Sequence, residues 1–255
     1  MTTVRLEWRE RTAVITLDRP ERRNALDLDA LKEMAEVLGE VAEARAVVLA
    51  ATGKTFSAGR DLKDERIAGD PEELLAEHFN PLVATLYALP CPTFAAVQGA
   101  ALGTGFGLAF ACDIVIAAED AQVGSPFAKL GGLPDCGFHF LAAQRIGMRR
   151  TLELIYTGRL LNGREAEEIG LVNRCVPASD LLAVTLEMAE SAARGPTAAF
   201  ALSKSLLRAA EDDAMSLTEV LAAEAKGQAT ALRTADAQEG LTAFLERRAP
   251  VFRGS

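Results

Sequence analysis

Gly99, Gly103, Gly105 and Gly107 follow an apolar, β-favouring run at 93–97 and precede an Ala-, Leu- and Phe-rich segment reaching Cys112. That order predicts a strand, a turn and a helix N-terminus. Glycines let a backbone approach a ligand closely, and the first N–H groups of a helix have no partner in their own turn. The chemistry on offer is therefore stabilisation of a partial negative charge. A dinucleotide site is a poor fit, because the G-x-G-x-x-G order and a following strand with a terminal acidic residue are both missing.

The segment LGGLPDCG at 130–137 adds a carboxylate and a thiol. By its own chemistry Asp135 is a turn residue or the N-cap of a helix over 138–145. Cys136 and His139 stand three apart, a spacing that does not by itself set nucleophile geometry. Cys136 therefore reads as a packing residue and His139 as a helix residue near the pocket. Two further loops carry polar groups, RRNAL at 22–26 and FSAGRDL at 56–62. Arg60 could hold an anionic substrate group but reads first as an exposed loop arginine, residues 63–65 as a solvated face, and His78 as structural or partly exposed.

These loops need elements to position them. Strands are expected at 4–8 and 13–17, paired as a hairpin, and at 46–51, 93–97, 113–118 and 173–176. Asp27 can cap a helix whose apolar positions Leu28, Leu31, Met34, Ala35 and Leu38 repeat at helical spacing. Further helices are expected at 71–89, 138–146, 151–157 and 164–169. From residue 180 onward the pattern is almost purely helical, at 180–194, 196–211, 216–232 and 236–247. Alternating strands and helices predict an α/β fold with its active face along the strand ends. The division falls between an α/β core at 1–194 and a helical portion at 195–255, whose apolar faces predict self-association.

Composition narrows the classes. The 255 residues are 49% hydrophobic and 25% charged, an ordinary globular balance. No apolar run approaches the roughly 20 residues needed to span a bilayer, and the N-terminus lacks a signal-peptide pattern, so no membrane partner and a cytoplasmic location are expected. Four scattered cysteines and two histidines argue against a metal site and for reduced thiols. A net charge of −9 argues against nucleic acid as a partner.

Taken in order, RRNAL, FSAGRDL, the glycine cluster with ACDIVIA at 111–117, LPDCG, the 158–176 stretch and FLERRAP at 244–250 resemble the crotonase superfamily of enoyl-CoA hydratases and isomerases. The resemblance covers nearly the whole chain. It implies a spiral of β-β-α turns with a helical C-terminal trimerisation region, assembled as a homotrimer or a dimer of trimers. It also implies an acyl-CoA thioester substrate and no separate cofactor, coenzyme A entering with the substrate. The thioester oxygen would be held by the main-chain N–H groups of Ala58 and Thr104, and the CoA moiety by Arg22, Arg23, Ala25, Ala58, Asp61 and Leu62. Such a hole stabilises an enolate, each donor being worth several kcal/mol.

The two glutamates of the superfamily's hydratases correspond to Gly107 and Phe127, so both carboxylates are missing here. Asp135 stands where isomerases of the superfamily carry a functional aspartate, and its GGLPDCG context is closest to the ring-epoxide isomerases of phenylacetate catabolism. The resemblance thus implies an enoyl-CoA isomerase with Asp135 as proton carrier, its pKa raised by the apolar neighbours Phe127, Leu133, Pro134 and Phe138. The alternatives are a hydratase or hydrolase activating water through Asp135, and a non-catalytic binding protein with the same fold.

Overall fold

The computed structural model describes residues 2–67, 69–212 and 214–254. Its main sheet holds β1 (Val4–Arg9), β2 (Thr12–Leu17), β3 (Ala46–Ala51), β4 (Thr93–Val97), β6 (Ile114–Ala118) and β8 (Arg174–Val176), in the order β1-β2-β3-β4-β6-β8. The β1–β2 hairpin is antiparallel, pairing Val4 with Leu17, and every later pair in this sheet is parallel. A second, two-stranded sheet pairs β5 (Ala100–Leu102) with β7 (Gln122–Gly124).

Helices follow the strands: α1 (Leu28–Glu40), α2 (Pro71–Leu74), α3 (Asn80–Ala88), α4 (Thr104–Ala111), α5 (Phe138–Thr157) and α6 (Gly163–Glu168). The chain ends in α7 (Leu181–Ala193), α8 (Thr197–Asp212), α9 (Leu217–Ala231) and α10 (Ala235–Glu246). The expected β-β-α turns are visible as β1-β2-α1, β4-β5-α4 and β6-β7-α5. No described helix is long and apolar enough to cross a membrane.

Strand alternation divides the core in two. Ala13, Ile15, Val47, Leu49, Ala95 and Val97 face the larger core with α1, α3, α4 and α5. Val14, Val48, Phe94 and Ala96 face the other side, covered by Leu181, Ala189 and Ala193 of α7. Burial on both faces explains why β3 reads as an unbroken apolar run. α7 therefore packs as part of the core, while α8 is held to it by polar contacts that include one carboxylate, the Cys91 and Tyr87 carbonyls and the Arg45 guanidinium. Asp113 accepts from Lys204 at 2.7 Å, Arg208 at 3.0 Å and the Thr93 N–H at 2.9 Å.

The expected helix over 71–89 is interrupted by a π turn at Leu75–Phe79, where the Asn80 N–H bonds to the Leu75 carbonyl. Pro81 is the cause: it has no N–H to give and its ring crowds the carbonyl four residues back. The two helices expected at 138–146 and 151–157 are both present within α5, separated at Gly147, whose φ of 74° and ψ of 159° are not helical. β5 and β7 were not expected; three-residue strands are too short to show a period of two.

Candidate active site

The site lies where the 56–62 loop, the start of α4 and the 130–137 loop meet. Phe56 and Ser57 lie alongside 98–102: the Phe56 N–H bonds to the Gln98 carbonyl at 2.8 Å, the Ser57 N–H to the Ala100 carbonyl at 2.9 Å, and the Leu102 N–H to the Ser57 carbonyl at 3.1 Å. This ladder brings Gly59 against the entry to α4. A Cβ on Gly59 would stand 2.7 Å from the Leu102 carbonyl oxygen and 3.5 Å from the Thr104 nitrogen. Only glycine permits that approach.

The N–H groups of this loop differ in whether they are already spent. Ala58, expected as a donor, spends its N–H on the Arg23 carbonyl at 3.0 Å. Gly59 donates to the Ser57 Oγ at 3.1 Å. Among the described residues, the N–H groups of Arg60 and of Thr104, the first residue of α4, have no acceptor. These two unspent donors stand one on each side of the Gly59 contact and are free to meet a partial negative charge. The Ala58 donor serves the loop itself, and Arg60 carries the unspent main-chain N–H of this loop. Main-chain partners leave no trace in residue type, so the sequence alone does not distinguish the two positions.

The loop behind the hole is built on Asn24. Its φ is 50°, a conformation that asparagine tolerates better than most residues. Its side chain accepts from the Arg19 N–H at 2.7 Å and donates to the Thr52 and Thr55 carbonyls at 2.9 and 2.7 Å. Its own carbonyl accepts from Ser57 Oγ at 2.8 Å. Asn24→Ala should orphan these buried groups and destabilise the fold by about 3 kcal/mol, readable as a lower urea midpoint.

The residues expected at the CoA moiety divide in two. Arg23 is exposed, and among the described residues its guanidinium meets no carboxylate. Leu62 is 84% exposed. Asp61, by contrast, is buried and committed: it accepts from Arg19 at 2.8 Å, Arg22 at 3.3 Å and the Lys63 N–H at 3.0 Å. These contacts hold its carboxyl below the ordinary range despite burial. Asp61 and Arg22 therefore fasten the 19–27 and 56–62 loops together, and Ala25 joins them through its carbonyl, which accepts from Arg19 at 3.1 Å. Asp64, expected in a solvated face, turns inward to accept from the Leu28 N–H at 3.0 Å.

Asp135 is not a helix cap. The N-cap of α5 is Gly137, while the Asp135 carbonyl accepts the Phe138 N–H at 3.1 Å. Its side chain is left for the site, with Oδ1 buried and unpartnered. Burial pushes the Asp135 carboxyl up, more than the Cys136 thiol and the field of Arg60 pull it down. The expected direction holds, although Leu133 is 73% exposed and contributes no cover.

Cys136 holds the loop in place. It adopts a φ of 51°, costly for a side chain with a Cβ. Its Sγ lies 3.2 Å from the Thr104 Oγ1, so the Asp135 loop is fastened to the N-terminus of α4. Burial pushes the thiol up to about 12, so it stays protonated. His139 is exposed and does not pair with it.

The Gly107 position is closed rather than merely empty. A Cβ there would stand 2.4 Å from the Cys136 carbonyl oxygen and 3.1 Å from Val83 Cγ2. Arg60 also departs from expectation. It is half-buried, donates to the Ile67 carbonyl, and leaves Nε buried without an acceptor. Its loop setting concealed this burial.

A family profile for enoyl-CoA hydratase/isomerase matches residues 7–255. Among curated relatives, a probable enoyl-CoA hydratase of Rhodobacter capsulatus is 39% identical, the match covering 99% of this chain and 98% of that protein. The 1,2-epoxyphenylacetyl-CoA isomerase of Escherichia coli is 36% identical, covering 94% of each. A solved enoyl-CoA hydratase from Bacillus anthracis superposes with a TM-score of 0.93 at 32% identity, over 100% of both chains.

Proposed function

The chain belongs to the enoyl-CoA hydratase/isomerase family, whose enzymes act on acyl-CoA thioesters, and on that premise we propose that it isomerises an enoyl-CoA. The thioester oxygen accepts from the N–H groups of Arg60 and Thr104, where the dipole of α4 adds to the field. Asp135 removes a proton from one carbon of the acyl chain, and the electron pair passes into the enolate. The same carboxyl returns the proton to a second carbon, so the double bond moves without change of mass.

The observation that carries this reading is the unpartnered, buried Oδ1 of Asp135. The neighbouring Asp61 and Asp64 are already engaged by arginines. One carboxylate suffices for a proton moved and returned. Arg23 is the residue best exposed to meet a CoA phosphate. No cofactor enters this scheme, and the four free thiols fit a cytoplasmic setting.

A 3-enoyl-CoA and a 2-enoyl-CoA incubated with the protein test it. A product of unchanged mass supports isomerisation. A gain of one water instead supports hydration through Asp135, a second reading favoured by the hydratase name of the Rhodobacter relative. Tight CoA-ester binding with no turnover would leave a binding protein.

The proposal extends to assembly as a homotrimer, or a dimer of trimers, through α8–α10. Leu207, Leu221, Leu232, Leu241 and Phe244 are 55 to 80% exposed there, more apolar surface than a lone chain ordinarily presents. Light scattering should give the mass of three or six chains, and Leu241→Glu with Phe244→Glu should lower it toward one.

A further inference from the structure

A cavity of about 520 Å³ lies at the opposite end of the main sheet from the candidate active site. The active-site loops leave the far ends of β2 and β3, whereas this cavity opens beside Thr12 and Arg45, where those strands begin. A six-residue strand separates the two ends by about 17 Å. The guanidiniums of Arg9, Arg11, Arg45 and Arg194 line it, against the carboxylates of Glu10 and Glu190. The wall thus carries a surplus of positive charge in a chain of net charge −9.

Among the described residues, Arg9 pairs with Glu190 at 3.5 Å, while Arg11 and Arg194 meet no carboxylate. Arg45 is fixed by neutral groups. Its Nε donates to Thr197 Oγ1 at 2.9 Å, and its terminal nitrogens donate to the Phe252 and Gly195 carbonyls at 3.1 and 2.6 Å. A guanidinium has more N–H groups than these bonds use, so Arg45 keeps donors to give and its charge is not cancelled. Like charges around a concave wall repel one another until an anion joins them. A phosphate monoester suits the surplus, with a charge of about −1.5 to −2 at neutral pH and oxygens that accept paired N–H groups from arginine. Ala193, Pro250 and Val251 make the rest of the wall apolar, and Val251 is 70% exposed. We propose that this cavity binds a phosphate monoester with an apolar organic part, Arg11, Arg45 and Arg194 meeting the phosphate and Pro250 and Val251 covering the rest. The ligand joins the β1–β2 turn, the end of α7 and the C-terminal tail, and the site is independent of the acyl-CoA reading above.

Calorimetry of the full-length protein at low ionic strength tests this with phenyl phosphate, inorganic phosphate and phenol. Phenyl phosphate should bind with a Kd below about 1 mM and about ten-fold tighter than inorganic phosphate, while phenol should not bind. Its affinity should fall at least about ten-fold in the double variant Arg11→Met, Arg194→Met. Glu10→Gln removes a carboxylate from the wall and should tighten binding about three-fold, a gain that damage to the fold would not produce. No binding of phenyl phosphate to the wild-type protein would overturn the proposal. Equal affinity in the double variant would overturn it by placing the binding elsewhere. Inorganic phosphate binding as tightly as phenyl phosphate would overturn the ligand class and leave a site for the free ion. Loss of binding together with a lower mass in light scattering would also overturn it, assigning the arginines to a contact between copies of the chain.

Discussion

Asp135→Asn lowers turnover of the enoyl-CoA substrate by about 10²- to 10⁴-fold, the range for removing a positioned general base. The amide keeps the shape of the carboxylate and cannot take the proton. Binding of the thioester survives, because the N–H groups of Arg60 and Thr104 are untouched. A drop in affinity matching the drop in rate would mean that Asp135 shapes the pocket instead. The pH profile gives a second measure. Since burial raises the carboxyl, the acid limb of kcat/KM should lie above the ordinary aspartate value of 3.8.

Stability should move the opposite way. A carboxyl whose pKa is raised by folding contributes stability that is fully present below its unfolded value. That contribution is lost as pH rises through the folded value. At neutral pH the ionised Asp135 is thus a liability to the fold, and Asp135→Asn should melt higher than wild type. The difference should disappear below about pH 3.8. A variant that is inactive and also less stable at pH 7 would contradict the assignment of Asp135 as a buried, unpaired base.

Gly107→Glu, which restores a carboxylate where hydratases carry one, should not confer water addition. Its Cβ would lie 2.4 Å from the Cys136 carbonyl oxygen and 2.9 Å from the Cys136 Cβ. Every residue of α4 is buried, so the helix has little room to withdraw. The loop must move instead, carrying Asp135 with it. A displacement of about 1 Å costs on the order of 10²-fold in rate. Overpacking together with a buried charge costs about 3 kcal/mol or more. A depressed melting temperature and loss of isomerisation are therefore expected together. A stable variant that adds water to a 2-enoyl-CoA would show that the glycine had been lost without compensation.

Much of the fold was legible in the sequence because its strands alternate and its helices carry their own caps. Asp27 does accept from the Ala30 N–H at 2.9 Å as expected, and the glycine cluster does open onto a buried helix. Candidates whose chemistry lies in a side chain, such as Asp135, can be named from the sequence, and main-chain donors cannot. Ala58 and Arg60 stand two apart in one loop, and only the Arg23 carbonyl decides which N–H is spent. The same limit hid the role of Gly107. Its missing side chain looks like the loss of a catalytic group, whereas in space it makes room for the Cys136 backbone.

The carboxylate of Asp113 bears on a different property, the cooperativity of unfolding. Detaching α8 would strip Lys204 and Arg208 from a mostly buried carboxylate, at a cost on the order of 2 kcal/mol after partial solvent screening. Asp113 lies two residues past the end of α4, whose other end supplies the Thr104 donor. The helix that opens the C-terminal portion and the helix that begins at Thr104 are thus linked through Asp113, beside the contacts of α8 with the Cys91 and Tyr87 carbonyls. Local opening of α8 is coupled to loosening of α4, so amides in the two helices should belong to one unfolding unit.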